Sequence, residues 1–310
     1  MDPELVARVR VSAERLGYRA NRVARALRRQ STQTVGLVIP DITDPAFPEV
    51  VKGIERELRA SGLTLLFCDA DNDVAVETEL VHNLFDHQID GLLISPCDPV
   101  ASRPTIELAA SRVPVLQVGR EPVAGHPHIG VDLANAMRQL IDHLATEGAV
   151  SYGYIGPAPE SGPRLANSAS QAKVDEFLAY AGRLDQASVN RVCLGGDSFA
   201  WGREAAASLL DHGALPDAIV CGTDQAAAGV LQALREHGVK VPGEVLVTGF
   251  GDTDIAVSCE PRLTTVRSPL EQLGAQAVAM LRSAIGQSLQ QPGSDTLTAE
   301  LIVRESSHRR

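Results

Sequence analysis

Polar groups that could grip a small ligand recur just past short apolar runs of this chain. Asp41, Asp44 and Phe47 follow Val35 to Ile39; Asp69 to Asn72 follow Leu63 to Cys68; Ser95 closes Gly91 to Ser95; and Gly119-Arg120 follow Val113 to Val118. In the second half come the loop Gly156 to Gln171, the segment Gly196 to Trp201 containing Phe199, then Thr223-Asp224 and Gly251-Asp252. Carboxylates, an arginine, hydroxyls and aromatic rings of this kind bind by hydrogen bonding, ion pairing and stacking. Each taken alone also serves as a helix cap or turn residue. Their joint placement past strand ends, around one crevice, is the argument for a ligand site.

A catalytic set does not emerge from the same residues. No Walker A, HExxH, GxSxG or EF-hand pattern occurs, and Gly249-Phe250-Gly251 lacks the third glycine of a dinucleotide fingerprint. His126 and His128, the one close histidine pair, read as loop imidazoles before a strand. Cys68, Cys193 and Cys221 sit in apolar runs while Cys97 and Cys259 stand alone, which suits reduced thiols. The expectation is a binding protein with no cofactor and no metal, not an enzyme.

The elements that must position these groups alternate. Further apolar runs at Tyr152 to Ile155, Val189 to Leu194, Ala218 to Cys221 and Val245 to Gly249 are separated by amphipathic stretches. Continuous apolar strands between helices predict parallel sheets covered on both faces, an α/β fold. A chain of 310 residues with 44% hydrophobic residues exceeds the size of most single cores, so two doubly wound lobes are expected, with a closed eight-unit barrel as the alternative. Their division is expected near Asp132 to Asn135. No apolar run approaches the ~20 residues that span a bilayer and no secretory segment opens the chain, so a cytoplasmic protein with no membrane partner is expected.

The first thirty residues differ in kind. They hold eight arginines against Asp2, Glu4 and Glu14, in a chain of net charge −11. Such asymmetry points to a polyanion partner, or to a solvated basic helix surface. Asp2, Pro3 and the spacing of Leu5, Val9, Ala13 and Leu16 predict a helix ended by Gly17; Asn21 can cap a second, short helix through Leu27.

Taken together the motifs are similar to those of the lactose-repressor/galactose-repressor family of bacterial transcription regulators. They are Arg15-Leu-Gly-Tyr-Arg-Ala-Asn-Arg-Val-Ala-Arg-Ala-Leu27, Thr34-Val-Gly-Leu-Val-Ile-Pro-Asp41, Gln88-Ile-Asp-Gly-Leu-Leu-Ile-Ser95, Thr223-Asp-Gln-Ala-Ala-Ala-Gly229, Val247-Thr-Gly-Phe-Gly-Asp252 and Pro261-Arg-Leu-Thr-Thr-Val266. The resemblance runs from about Pro3 to Arg304. It implies two lobes of the type I periplasmic-binding-protein kind, a homodimer, a small-molecule effector and operator DNA as partners. By resemblance, 1–20 is the third helix of a DNA-binding headpiece and 21–33 the hinge helix and linker. The first lobe is then 34–133 with 266–294, and the second 134–265 with 295–310. Asn21, Arg22, Val23, Arg25 and Leu27 are the implied hinge contacts with DNA, Leu27 being the wedge of a minor-groove helix. The family's helix-turn-helix would precede Asp2-Pro3-Glu4, so the expectation is that the true start lies upstream of Met1.

The implied effector contacts are Asp44, Phe47, Asp69, Ser95, Arg120, Lys173, Phe199, Thr223, Asp224 and Asp252. Three departures from the family pattern share a direction: Gly119 where an acid commonly precedes the arginine, Gly251 where an acid follows the Gly-aromatic turn, and Lys173 as the best match to a ligand-binding arginine, with Arg164 competing. Losing acceptors while keeping Arg120 and Lys173 favours an anionic effector, such as a sugar acid or sugar phosphate. The rival readings are a solute-binding receptor and an effector-binding paralogue without its own DNA binding.

Overall fold

The computed structural model describes Arg15 and residues 31–44, 46–157, 168–183, 188–211, 213, 215–286 and 290–309. Apart from Arg15, the expected headpiece remnant lies outside the described residues, as do the hinge contacts Asn21, Arg22, Val23, Arg25 and Leu27, and Arg164.

Two open parallel sheets form, which sets aside the closed barrel. The first is built from β1 (Thr34–Ile39), β2 (Thr64–Asp69), β3 (Gly91–Ile94), β4 (Val115–Val118), β5 (His128–Val131) and β11 (Asp295–Leu297), in the order β11-β5-β4-β3-β1-β2. The second is built from β6 (Ser151–Gly156), β7 (Ser188–Leu194), β8 (Ala218–Cys221) and β9 (Leu246–Thr248), in the order β7-β6-β8-β9. Fully buried runs such as Gly91–Ile94 and Ala218–Cys221 mark strands with helices on both faces.

On one face of the first sheet, α1 (Phe47–Ala60) packs on α9 (Leu270–Ala284), sharing a core of Val50, Ile54, Leu58, Leu273, Ala277 and Leu281. Their backbones touch: a Cβ on Gly53 would come within 2.1 Å of the Glu271 carbonyl oxygen. The other face is covered by α2 (Val74–Asp86) and α3 (Arg103–Ala110), around Val81, Leu84 and Ile106. In the second lobe, α4 (Leu133–Thr146) and α5 (Ser168–Ala181) bury Leu140, Phe177 and Tyr154 on one side. On the other, α6 (Phe199–Asp211) and α7 (Asp224–Glu236) bury Ala206, Val230 and Leu234. The short α8 (Asp254–Ser258) follows β9.

The chain passes between lobes three times. It crosses from β5 to α4, where Asp132 caps the helix by accepting from the Asn135 amide at 2.8 Å. It returns from β10 (Thr265–Arg267) to α9 and crosses again from β11 to β12 (Glu300–Ile302). β10 and β12 pair antiparallel. β11, which falls on the second-lobe side of the expected boundary at 294/295, pairs with β5 in the first sheet.

Candidate ligand cleft

In both sheets the second strand lies to one side of the first and the third to the other, so strand order reverses between β1 and β3 and between β6 and β8. Crevices past the C-terminal ends of such strand pairs are where open α/β sheets take ligands. The residues there are Pro40 to Asp44 and Ser95 in the first lobe, and Gly156-Pro157 and Gly222-Thr223 in the second.

Arg120 organises the first wall. Gly119, at φ +88°, turns the chain after β4 so that the arginine comes back over the sheet edge. One Nη donates to Asn72 Oδ1 at 3.0 Å, the other to Asp44 Oδ2 at 3.3 Å, and the guanidinium sits 5.7 Å from the centre of the Phe47 ring. Its Nε is buried without a hydrogen-bond partner. Asn72 in turn donates to Asp41 at 3.1 Å, and the Thr43 hydroxyl bonded to Asp41 at 2.6 Å holds that carboxyl below its ordinary range. Ser95 is 1% exposed with an unpartnered hydroxyl. Asp69 spends its oxygens on the amides of Ile42 and Asp71, shaping the turn rather than reaching into the crevice.

Lys173 organises the second wall. Its Nζ donates to the Gly222 carbonyl at 2.8 Å and lies 4.7 Å from the centre of the Phe250 ring. Burial there pushes the ammonium down to about 8, against the pull of Asp44, Asp197 and Asp224, which favour the charge. Asp44 belongs to the opposite lobe, so a carboxylate that accepts from Arg120 also acts electrostatically on Lys173. Phe199, the first residue of α6, is 44% exposed. It is carried there by a helix contact so close that a Cβ on Gly229 would come within 2.1 Å of its carbonyl oxygen. The hydroxyl of Tyr154 is buried without a partner beside Gly156 and Gly222.

Three expected contacts are spent inside the second lobe. Thr223 caps α7, accepting from the Ala226 amide at 3.1 Å and donating to the Asp197 carbonyl at 2.7 Å. Asp224, wholly buried, accepts from the Thr265 hydroxyl at 2.6 Å and from the Thr253 amide and hydroxyl at 2.7 and 3.0 Å, while burial raises its pKa. Asp252, at φ +52°, accepts from Arg267 and Arg304 at 2.6 Å each, tying the two crossover strands to the β9 turn. These carboxylates position the wall instead of presenting free acceptors to a ligand. Sequence reasoning missed their partners Arg267 and Arg304, and it missed Tyr154. Its strand position was legible, but the reach of its hydroxyl to the sheet edge was not.

The periplasmic binding protein-like domain matches residues 141–307, which is more than half of the chain. The chain belongs to that family, in its lactose-repressor/galactose-repressor branch. It is 29% identical to catabolite control protein A of Staphylococcus aureus (strain N315) over 269 residues, covering 86% of this chain and 79% of that protein. It is 28% identical to the ribose operon repressor of Escherichia coli (strain K12) over 304 residues, 98% of this chain and 91% of the relative. Among solved structures, the lac repressor bound to ONPG in its repressed state superposes with a TM-score of 0.82 at 24% identity, over 96% of this chain and 89% of that one. The CelR–cellobiose complex superposes at 0.74 and 23% identity, over 99% and 91%. These relatives of the family are transcriptional regulators, and the shared architecture covers both lobes. Among the described residues no helix is long and apolar enough to cross a membrane, and no cluster of His, Cys, Asp or Glu could hold a metal ion.

Proposed function

We propose that the protein is a ligand-responsive transcriptional regulator, a repressor acting as a homodimer on operator DNA, whose effector is a small polyhydroxy compound bearing a carboxylate or phosphate. The observation that carries the effector class is the pair of cations on opposite walls, Lys173 buried and Arg120 with 13% of its side chain exposed. Arg120 has a spare Nε and a loose 3.3 Å bond to Asp44, and Lys173 is bonded to a neutral carbonyl. An anionic group between them would take charge-assisted bonds from both lobes and hold the cleft shut. Asp41 and Asp44 would accept from its hydroxyls, and Phe199 would cover a ring face. Ile42, Phe67 and Val76, exposed around the C-terminal end of the edge strand β2, support pairing with a second copy.

Sugar acids and sugar phosphates, each beside its neutral parent sugar, can be ranked by thermal shift. Binding to the native state stabilises it by RT ln(1 + [L]/Kd), so a ligand at a hundred times its Kd adds about 2.7 kcal/mol. The reading expects the stabilisation to come from the anions. Strong stabilisation by a neutral sugar with none from its acid or phosphate would replace it with a neutral-sugar effector.

A further inference from the structure

The chain has three lysines, and their surroundings differ sharply. Lys52 is exposed on α1 beside Glu271, and Lys240 is exposed in the turn before β9. Lys173 is 8% exposed, roofed by the Phe250 ring and hydrogen-bonded to a carbonyl instead of a carboxylate. Its amine therefore stands at the ligand crevice, in an apolar setting that favours the neutral form, with carboxylates of both lobes in electrostatic reach. An amine desolvated in this way is the kind that condenses with carbonyl groups.

We propose that Lys173 captures a carbonyl-bearing ligand, holding an aldehyde or oxo acid in the cleft as a reversible imine. The proposal rests on the reading of the cleft as the ligand site and narrows the ligand class to anionic compounds with a free aldehyde or ketone. The neutral amine attacks the carbonyl carbon, forming the N–C bond while the carbonyl oxygen gains a proton. The carbinolamine then loses its hydroxyl as water and one N–H proton, leaving C=N. One water is released, no electrons are transferred, and hydrolysis reverses the step. The proton passes between nitrogen and departing oxygen through water, and Asp44 and Asp197, which act on the amine electrostatically, offset the positive charge that develops on nitrogen. Arg120 is left to hold the anionic group.

Pyridoxal 5′-phosphate, an aldehyde with a phosphate, serves as the probe on the unmodified protein, with sodium borohydride to fix any imine and peptide mapping to locate it. With Lys173 down at about 8, its neutral-amine fraction at pH 7 exceeds that of an ordinary lysine about 300-fold, partly offset by its lower intrinsic nucleophilicity. The expected result is one adduct per protomer, on Lys173, forming on the order of tenfold faster than at Lys52 or Lys240. A melting shift by the probe in unmodified protein, together with no trapping in a folded Lys173→Arg variant that keeps the charge, completes the pattern. Labelling spread evenly over the three lysines, or confined to Lys52 and Lys240, overturns the imine. If the probe then still raises the melting temperature, the ligand site stands without it; if it neither labels Lys173 nor stabilises, while neutral sugars do, the anion-binding reading fails as well.

Discussion

Raising the pH should release from this protein an anion that carries no aldehyde or ketone, and so is held by the Lys173 ammonium without forming an imine; the size of the effect follows from Lys173. Its ammonium, pushed down to about 8 by burial, is roughly nine-tenths protonated at pH 7 and one-tenth at pH 9. If the charged form alone holds the anion, affinity falls about tenfold across that interval, or about 1.4 kcal/mol. A sugar acid is the right ligand for the measurement, because its carboxyl stays ionised throughout. Isothermal titration calorimetry at pH 7, 8 and 9 in two buffers of different ionisation enthalpy reads both the Kd and the proton uptake on binding, which should rise from about 0.1 proton at pH 7 through about 0.5 at pH 8 to about 0.9 at pH 9. The free protein should show the opposite face of the same shift. A lysine whose folded pKa lies below its unfolded value weakens the native state below about 8, and that penalty is relieved as pH rises from about 8 to the ordinary value of 10.5. Lys173→Met therefore stabilises the ligand-free protein at pH 7, by at most about 3 kcal/mol, less the lost bond to the Gly222 carbonyl, while abolishing the pH dependence of binding. A Kd that is flat from pH 7 to pH 9, or one equally pH-dependent in the methionine variant, would refute the assignment of the anion to Lys173.

Other consequences concern the scaffold. Asp252→Ala removes the acceptor shared by Arg267 and Arg304; with Arg304 and Asp252 largely buried and Arg267 half-exposed, the loss should be about 2 to 4 kcal/mol in urea unfolding. An effect below about 0.5 kcal/mol would show that the crossover strands do not depend on this clamp. Gly229→Val should cost about 1 to 3 kcal/mol by forcing α6 from α7, and should weaken ligand binding through the displaced Phe199; unchanged stability would show that the helices can separate freely. Asp224→Asn, which leaves an acceptor but adds a buried amide facing donor groups, should destabilise the second lobe, read as loss of hydrogen-exchange protection in β8 and α7.

Much of the architecture was legible because parallel strands covered on both faces are written as unbroken apolar runs. Gly91–Ile94, Val115–Val118 and Ala218–Cys221 could be marked within a residue or two. The three-residue strands β10, β11 and β12 were not. Thr265–Arg267 and Glu300–Ile302 mix polar and apolar residues and are held by pairing across a separation that no local pattern encodes. The candidate site divides on the same line. Arg120 and Ser95 could be placed because each directly follows a strand, and the structure sets them at the crevice. Asp224 and Asp252 follow strands too, yet their carboxylates are claimed by Thr253, Thr265, Arg267 and Arg304. Which of two equally exposed-looking acids meets a ligand and which meets a distant side chain is a tertiary fact. Lys173 shows the reverse: the resemblance marked its position, and only its burial in the folded wall gives it a depressed pKa.

The central claim, that occupancy of the cleft governs operator binding, is tested most directly by measuring the Kd of the stabilising ligand with and without operator DNA on the full-length protein. Coupling between two sites is reciprocal, so the account predicts that operator changes ligand affinity by the same factor by which ligand changes operator affinity, within the 5- to 150-fold range typical of about 1 to 3 kcal/mol of coupling. Equal ligand affinity in the presence and absence of operator would contradict it.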